Sequence, residues 1–145
     1  MSVTFYPEAI QYIKQEVPCF CDGEDQDQDC YDCNGTGYYL EEAPSPEFAI
    51  FNISNLNAAL LLRSIIPEIS YEDLCGSWDQ SMQDRVTKNV LKLMNKQNNP
   101  LLREDEQVDN FYTRGIDKER AMQYCQLMLE VLHCCKKHNC NLIFN

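Results

Sequence analysis

Apolar side chains recur at helical spacing in four stretches of this chain, and polar runs mark where each stretch ends. In PEAIQYIKQEV, Ile10, Ile13 and Val17 follow at steps of three and four after Pro7, a residue that a first helical turn tolerates, so the pattern predicts a short helix. EFAIFNIS is rich in aromatic and β-branched residues and predicts a strand; Ser54 or Asn55 then caps a helix through LNAALLLRSII, ended by Pro67. Apolar residues cover most of that helix, which marks it as the central, buried one. From about Trp78 to Lys96, Met82, Val86, Val90 and Leu93 form one stripe and Arg85, Lys88, Lys92 and Lys96 another, one to pack and one to be solvated. From Lys118 to Lys137, Ala121, Cys125, Met128, Leu132 and Cys135 share a face, and Lys136, Lys137 and His138 suit the exposed carbonyls of a last turn. NKQNNPLLREDEQVDN reads as a long surface connection, VTFY as a short apolar start, and NLIF as an extended end that pairs with AIFNI. The expected fold class is α+β: a helix-rich single domain with about three main helices, a small sheet and an N-terminal zinc-binding loop.

Length supports one domain, since 145 residues with 44% hydrophobic content fill one ordinary core and not two. The expected organisation is an N-terminal segment, residues 1–40, carrying a loop at 19–37, and an α+β body over 41–145. MSVTFYPEAI has neither the basic start nor the apolar run of a signal peptide, and no stretch is apolar enough to span a membrane, so a cytoplasmic protein is expected. The net charge of −11 opposes sequence-independent binding to nucleic acid or to an anionic membrane surface. Nine cysteines, an odd number at uneven spacing, point to reduced thiols rather than a disulfide framework.

Four of those thiols crowd one polar stretch, CFCDGEDQDQDCYDCNGTG, which lacks the hydrophobes to collapse by itself. Cys19, Cys21, Cys30 and Cys33 form a C-x-C and C-x-x-C set whose spacer is long enough to fold back, the donor set that zinc takes in closed structural sites. The C-x-x-C spacing lets two sulfurs reach one ion around a tight turn, with Gly35 and Gly37 to supply its backbone angles. The C-x-C pair must bend, as Pro18 and Asp22-Gly23 allow. Asp22, Glu24, Asp25, Asp27, Asp29 and Asp32 disfavour a redox thiolate, which needs electropositive surroundings. Asp25, Asp27 and Asp29 alternate like calcium ligands, but Cys30 stands where an EF-hand needs glycine and Thr36 where it needs a bidentate glutamate.

Cys30-Tyr-Asp-Cys33-Asn-Gly35-Thr-Gly37 resembles the C-x-x-C-x-G-x-G repeat of the zinc-binding cysteine-rich region of DnaJ-type chaperones. CFCDG resembles a degenerate partner half. The resemblance implies one zinc held by Cys19, Cys21, Cys30 and Cys33, without a chaperone function, because no J-domain motif accompanies it. The body resembles small bacterial proteins of no assigned activity in which a strand leads into an Asn-rich helix start and a long helix precedes a short final strand; this implies an α+β core.

HCCKKHNC holds His133, Cys134, Cys135, His138 and Cys140, but two histidines five residues apart on a helix diverge by about 140°. Cys134 and His138 share a face, and whether they form a second metal site with Cys140 stays open. No nucleophile–base set or phosphate-binding glycine loop is present. The expected function is a small zinc protein whose zinc is structural and whose ordered acidic loop, with Phe20, Tyr31, Tyr38 and Tyr39, faces a protein partner. The alternatives are an enzyme whose site lies in the body around Cys75, Trp78 and His133, and nucleic-acid binding through Arg85, Lys88, Lys92 and Lys96.

Overall fold

Pro7 and Pro18 each close an extended segment instead of opening a helix, and the N-terminal topology follows from that. The fold is that of a computed structural model, which describes residues 2–21, 30, 32–69, 74–108, 111–113 and 115–145. In chain order its elements are β1 (Ser2–Pro7), β2 (Tyr12–Pro18), β3 (Tyr38–Pro44), β4 (Phe51–Ser54), α1 (Asn55–Ile65), β5 (Gly76–Trp78), α2 (Gln80–Met94), β6 (Glu106–Val108), β7 (Phe111–Thr113), α3 (Lys118–His138) and β8 (Leu142–Phe144). Among the described residues the fold is a mixed α+β one, with three helices and small antiparallel sheets. Contacts divide it into two units, Met1–Ala9 with Phe48–Asn145, and Ile10–Glu47.

The larger unit is built on a four-stranded antiparallel sheet in the order β4-β1-β8-β5. β1 turns Val3, Phe5 and Pro7 inward in the two-residue alternation of a half-buried strand. Phe5 is opposite Phe51 on one side and Phe144 on the other, and its ring stacks on theirs with centroids 4.7 and 5.8 Å apart. The apolar start VTFY is therefore a central strand. β8 pairs with β1 and β5 rather than with AIFNI, because β1 lies between β8 and β4.

The three helices follow the local signals in the chain. Ser54, Asp79 and Asp117 cap them, each side-chain oxygen accepting a backbone N–H from the first turn, and the acidic caps hold theirs at 2.9 and 2.8 Å. α1 buries Ala58, Ala59, Leu61, Leu62 and Ile65; α2 buries Val86, Val90 and Leu93; α3 buries Ala121, Cys125, Met128, Leu132 and Cys135. Gln83 is the buried polar side chain in this packing, and its amide donates to the carbonyls of Trp78 and Cys140, tying the start of α2 to the end of α3. α3 ends where Asn139 adopts a left-handed conformation at φ 50°. The expected surface connection after α2 is more than that: Leu101 is fully buried, Arg103 bridges to Ile116, and β6 pairs with β7.

The smaller unit corrects the helix expected over Pro7–Val17. Residues 12–18 form β2, paired antiparallel with β3 from Tyr12↔Pro44 to Pro18↔Tyr38. Ile10, Ile13 and Val17 do have helical spacing, but the residue before Pro18 is biased away from helix, and Tyr12, Ile13 and Val17 suit a strand once β3 supplies a partner. The chain leaves β1 at Ala9 and returns at Phe48 to pair with the same strand as β4, so Ile10–Glu47 occupies the connection of a β1–β4 hairpin. No described helix is long and apolar enough to cross a membrane.

Candidate metal centre

The closed end of the β2–β3 ribbon determines where the first two thiols sit. Pairing ends at Pro18↔Tyr38, and one further bond, from the Cys19 N–H to the Gly37 carbonyl at 2.8 Å, fastens the C-x-C segment to the turn that carries the other pair. A bend at Phe20 and Cys21 then brings both sulfurs to one side. Phe20, between them, is left 96% exposed.

The second pair is held by a tight turn. The carbonyl of Cys30 accepts the Asn34 N–H at 2.7 Å, and that of Cys33 accepts the Thr36 N–H at 3.0 Å. The Thr36 hydroxyl lies 2.7 Å from the carbonyls of both Cys33 and Tyr38 and has one proton to share between them. Asn34, Gly35 and Gly37 have φ of 49°, 80° and 77°, a region that glycine enters freely and asparagine more readily than most residues. The repeat Cys-x-x-Cys-Asn-Gly-Thr-Gly thus places its permissive residues where the backbone reverses.

These constraints gather Cys19, Cys21, Cys30 and Cys33 so that all four sulfurs lie within 4.8 Å of one another. Cys19 is 3.6 Å from Cys30 and Cys21 3.5 Å from Cys33, far beyond the roughly 2.05 Å of a disulfide, and all four are free. Cys33 is buried, and the other three are partly so. Burial pushes the Cys33 thiol up, but the backbone amide of Gly37 and hydrogen bonds from Cys21 and Cys30 outweigh it and bring it down to about 7. Cys21, hydrogen-bonded to Cys19 and Cys33, is pushed up to about 12. One thiol thus ionises readily beside a neighbour that keeps its proton, and a cation at the centre is what would let both ionise. The four side chains could hold a metal ion.

Among the described residues this is the sole group of three or more histidine, cysteine or acidic side chains whose ligand atoms converge. Cys134, His138 and Cys140 do not join in a second one. Cys134 and Cys135 are buried, burial and the neighbouring Cys140 push the Cys135 thiol up to about 12, and the His138 ring stacks on Phe48 with centroids 4.5 Å apart. Asp22, Glu24, Asp25, Asp27, Asp29 and Tyr31, with the calcium-like alternation among them, lie outside the described residues, whereas Asp32 is described and exposed.

The residues expected for an enzyme differ in their surroundings. Trp78 is buried against Phe144, with ring centroids 4.9 Å apart, and Cys75 is exposed. His133 lines a cleft of about 350 Å³ between α2 and α3 whose walls include neither. On the basic face of α2, Arg85 pairs with Glu68, while Lys88, Lys92 and Lys96 are exposed. Thr36 and Asn34 hold the turn without being ligands, and the run Cys-Asn-Gly-Thr-Gly is the signal for them in the sequence. Compared with protein-family models, with curated proteins and with solved structures, the chain matches none.

Proposed function

We propose that this is a zinc protein in which one Zn²⁺, bound by Cys19, Cys21, Cys30 and Cys33, fixes the end of the β2–β3 ribbon as a surface for a protein partner in a reducing compartment. The observation that carries this reading is the sulfur spacing. Four sulfurs about 2.3 Å from one ion at tetrahedral angles stand about 3.8 Å apart, and the cluster's 3.5 and 3.6 Å pairs, with every sulfur within 4.8 Å, bracket that edge. The resemblance of Cys30–Gly37 to the DnaJ-type zinc repeat points the same way.

The role is structural. Four thiolates close the coordination shell and leave no position for water or substrate. A two-stranded ribbon is at best marginal alone, whereas a structural zinc contributes about 10–16 kcal/mol in small zinc-binding peptides. Native mass spectrometry before and after a strong chelator tests this, on the wild type and on Cys30→Ser with Cys33→Ser. One added zinc mass in the wild type alone is expected; a chain without metal, or one carrying iron, would overturn the assignment.

A further inference from the structure

We propose that one face of the β2–β3 ribbon, continued by Phe20, is the docking surface for a basic polypeptide segment carrying apolar side chains; this rests on the reading of the ribbon as a metal-fixed interaction module. The register puts Tyr12, Lys14, Glu16 and Pro18 on one face with Pro44, Glu42, Leu40 and Tyr38 opposite them. On the other face Val17, Tyr39 and Ala43 are half-buried, while Ile13, Gln15 and Glu41 are exposed. The first face is uncovered: Tyr12 is 60% exposed, Leu40 63% and Tyr38 56%, and Phe20, two residues past the last pair, is also exposed. Leu40, Pro18 and Tyr38 form an exposed apolar group at the metal end of this face, and Lys14 with Glu42 separates it from Tyr12 and Pro44. Exposed apolar side chains rimmed by charge in this way mark an interaction site, and Tyr and Phe are enriched at such contacts.

Charge selects the occupant. Ten acidic residues and a single lysine, Lys14, fall in Ile10–Glu47, so this unit holds −9 of the chain's −11. Four thiolates around Zn²⁺ carry −2, so loading the site adds negative charge rather than neutralising it. A nucleic acid or an anionic membrane would meet like charge here, and a second copy, even with the basic face of its α2, would bring a net −11 with it. A cationic segment meets opposite charge, with Glu16 and Glu42 on the apolar face itself to receive alternate basic side chains.

The test uses a fluorescein-labelled peptide of three Lys-Val-Arg-Tyr repeats, read by anisotropy on the zinc-loaded full chain at 50 and 200 mM salt. Controls are an oligolysine of the same length and the repeat with glutamate at every basic position. Binding of the basic repeat that weakens with salt, and at least tenfold on combining Tyr38→Ser with Leu40→Ser, is the expected result, with the glutamate repeat unbound. Equal binding to variant and wild type, equal binding of oligolysine, self-association lost in the variant, or no binding at low salt would each overturn the proposal. Metal content by native mass spectrometry on the same samples separates the two readings: a loaded chain that ignores the peptide refutes the docking surface alone, and a chain without metal refutes the module beneath it.

Discussion

Replacing Gly37 by alanine isolates the contribution of one backbone conformation to metal binding. Gly37 holds φ at 77°, yet a Cβ built there meets nothing within 4 Å, so alanine would suffer no clash and lose no contact. Its carbonyl would still accept the Cys19 N–H, and its amide would remain beside the Cys33 sulfur. What is left is the cost of a left-handed conformation for a residue with a side chain, about 1–2 kcal/mol. If metal is what orders this turn, the metal-free variant relaxes and the whole cost appears in binding, as a zinc affinity roughly five- to thirtyfold weaker. Competition against a chromophoric chelator at fixed pH measures it. Gly115→Ala is the counterpart, because its Cβ would overlap the backbone carbonyl of Arg103 in the larger unit; it should lower the melting temperature and leave zinc affinity unchanged. An affinity for Gly37→Ala within twofold of wild type would show that the turn is set without metal, and a loss beyond a hundredfold would show that more than φ is at stake.

Further expectations concern pH and the body. Zinc displaces thiol protons, so affinity falls as pH falls; Cys33, with its pKa near 7, adds its own proton to that cost only below this point, and log affinity against pH should steepen by about one unit there. A constant slope from pH 8 to 6 would count against it. Phe5→Ala removes a fully buried ring stacked on two others and should cost about 3–5 kcal/mol in urea unfolding while one zinc per chain is retained. Asp117→Ala removes the acceptor for the Arg120 N–H and should cost about 1 kcal/mol by the same measurement, and no change would show the cap to be idle.

The features legible in the chain are those decided locally. Each helix carries its own cap and stripe within a few turns, so Ser54, the four-and-three spacing from Ala121 to Cys135, and the Met82–Leu93 stripe mark the three helices without tertiary information. The four thiols could be named because a C-x-x-C turn is a local device. Strands are decided by distant partners. Ile10, Ile13 and Val17 have helical spacing, and only the pairing of Ile13 and Val17 with Ala43 and Tyr39, more than twenty positions away, settles the matter in favour of β2. The central place of β1 and the partners of β8 depend on a pairing across nearly the whole chain. Leu101 sits in a polar stretch whose composition hides a fully buried side chain.

The insertion of Ile10–Glu47 into the β1–β4 connection gives the ribbon two covalent tethers in place of one. A domain appended at a terminus is shed by a single proteolytic cut, whereas a nick inside this ribbon leaves both fragments attached to the sheet through Ala9 and Phe48. Since Phe5 and Phe51 are already partners, a short turn could take the insert's place, and the ribbon could in turn be grafted as a cassette into a hairpin of another protein.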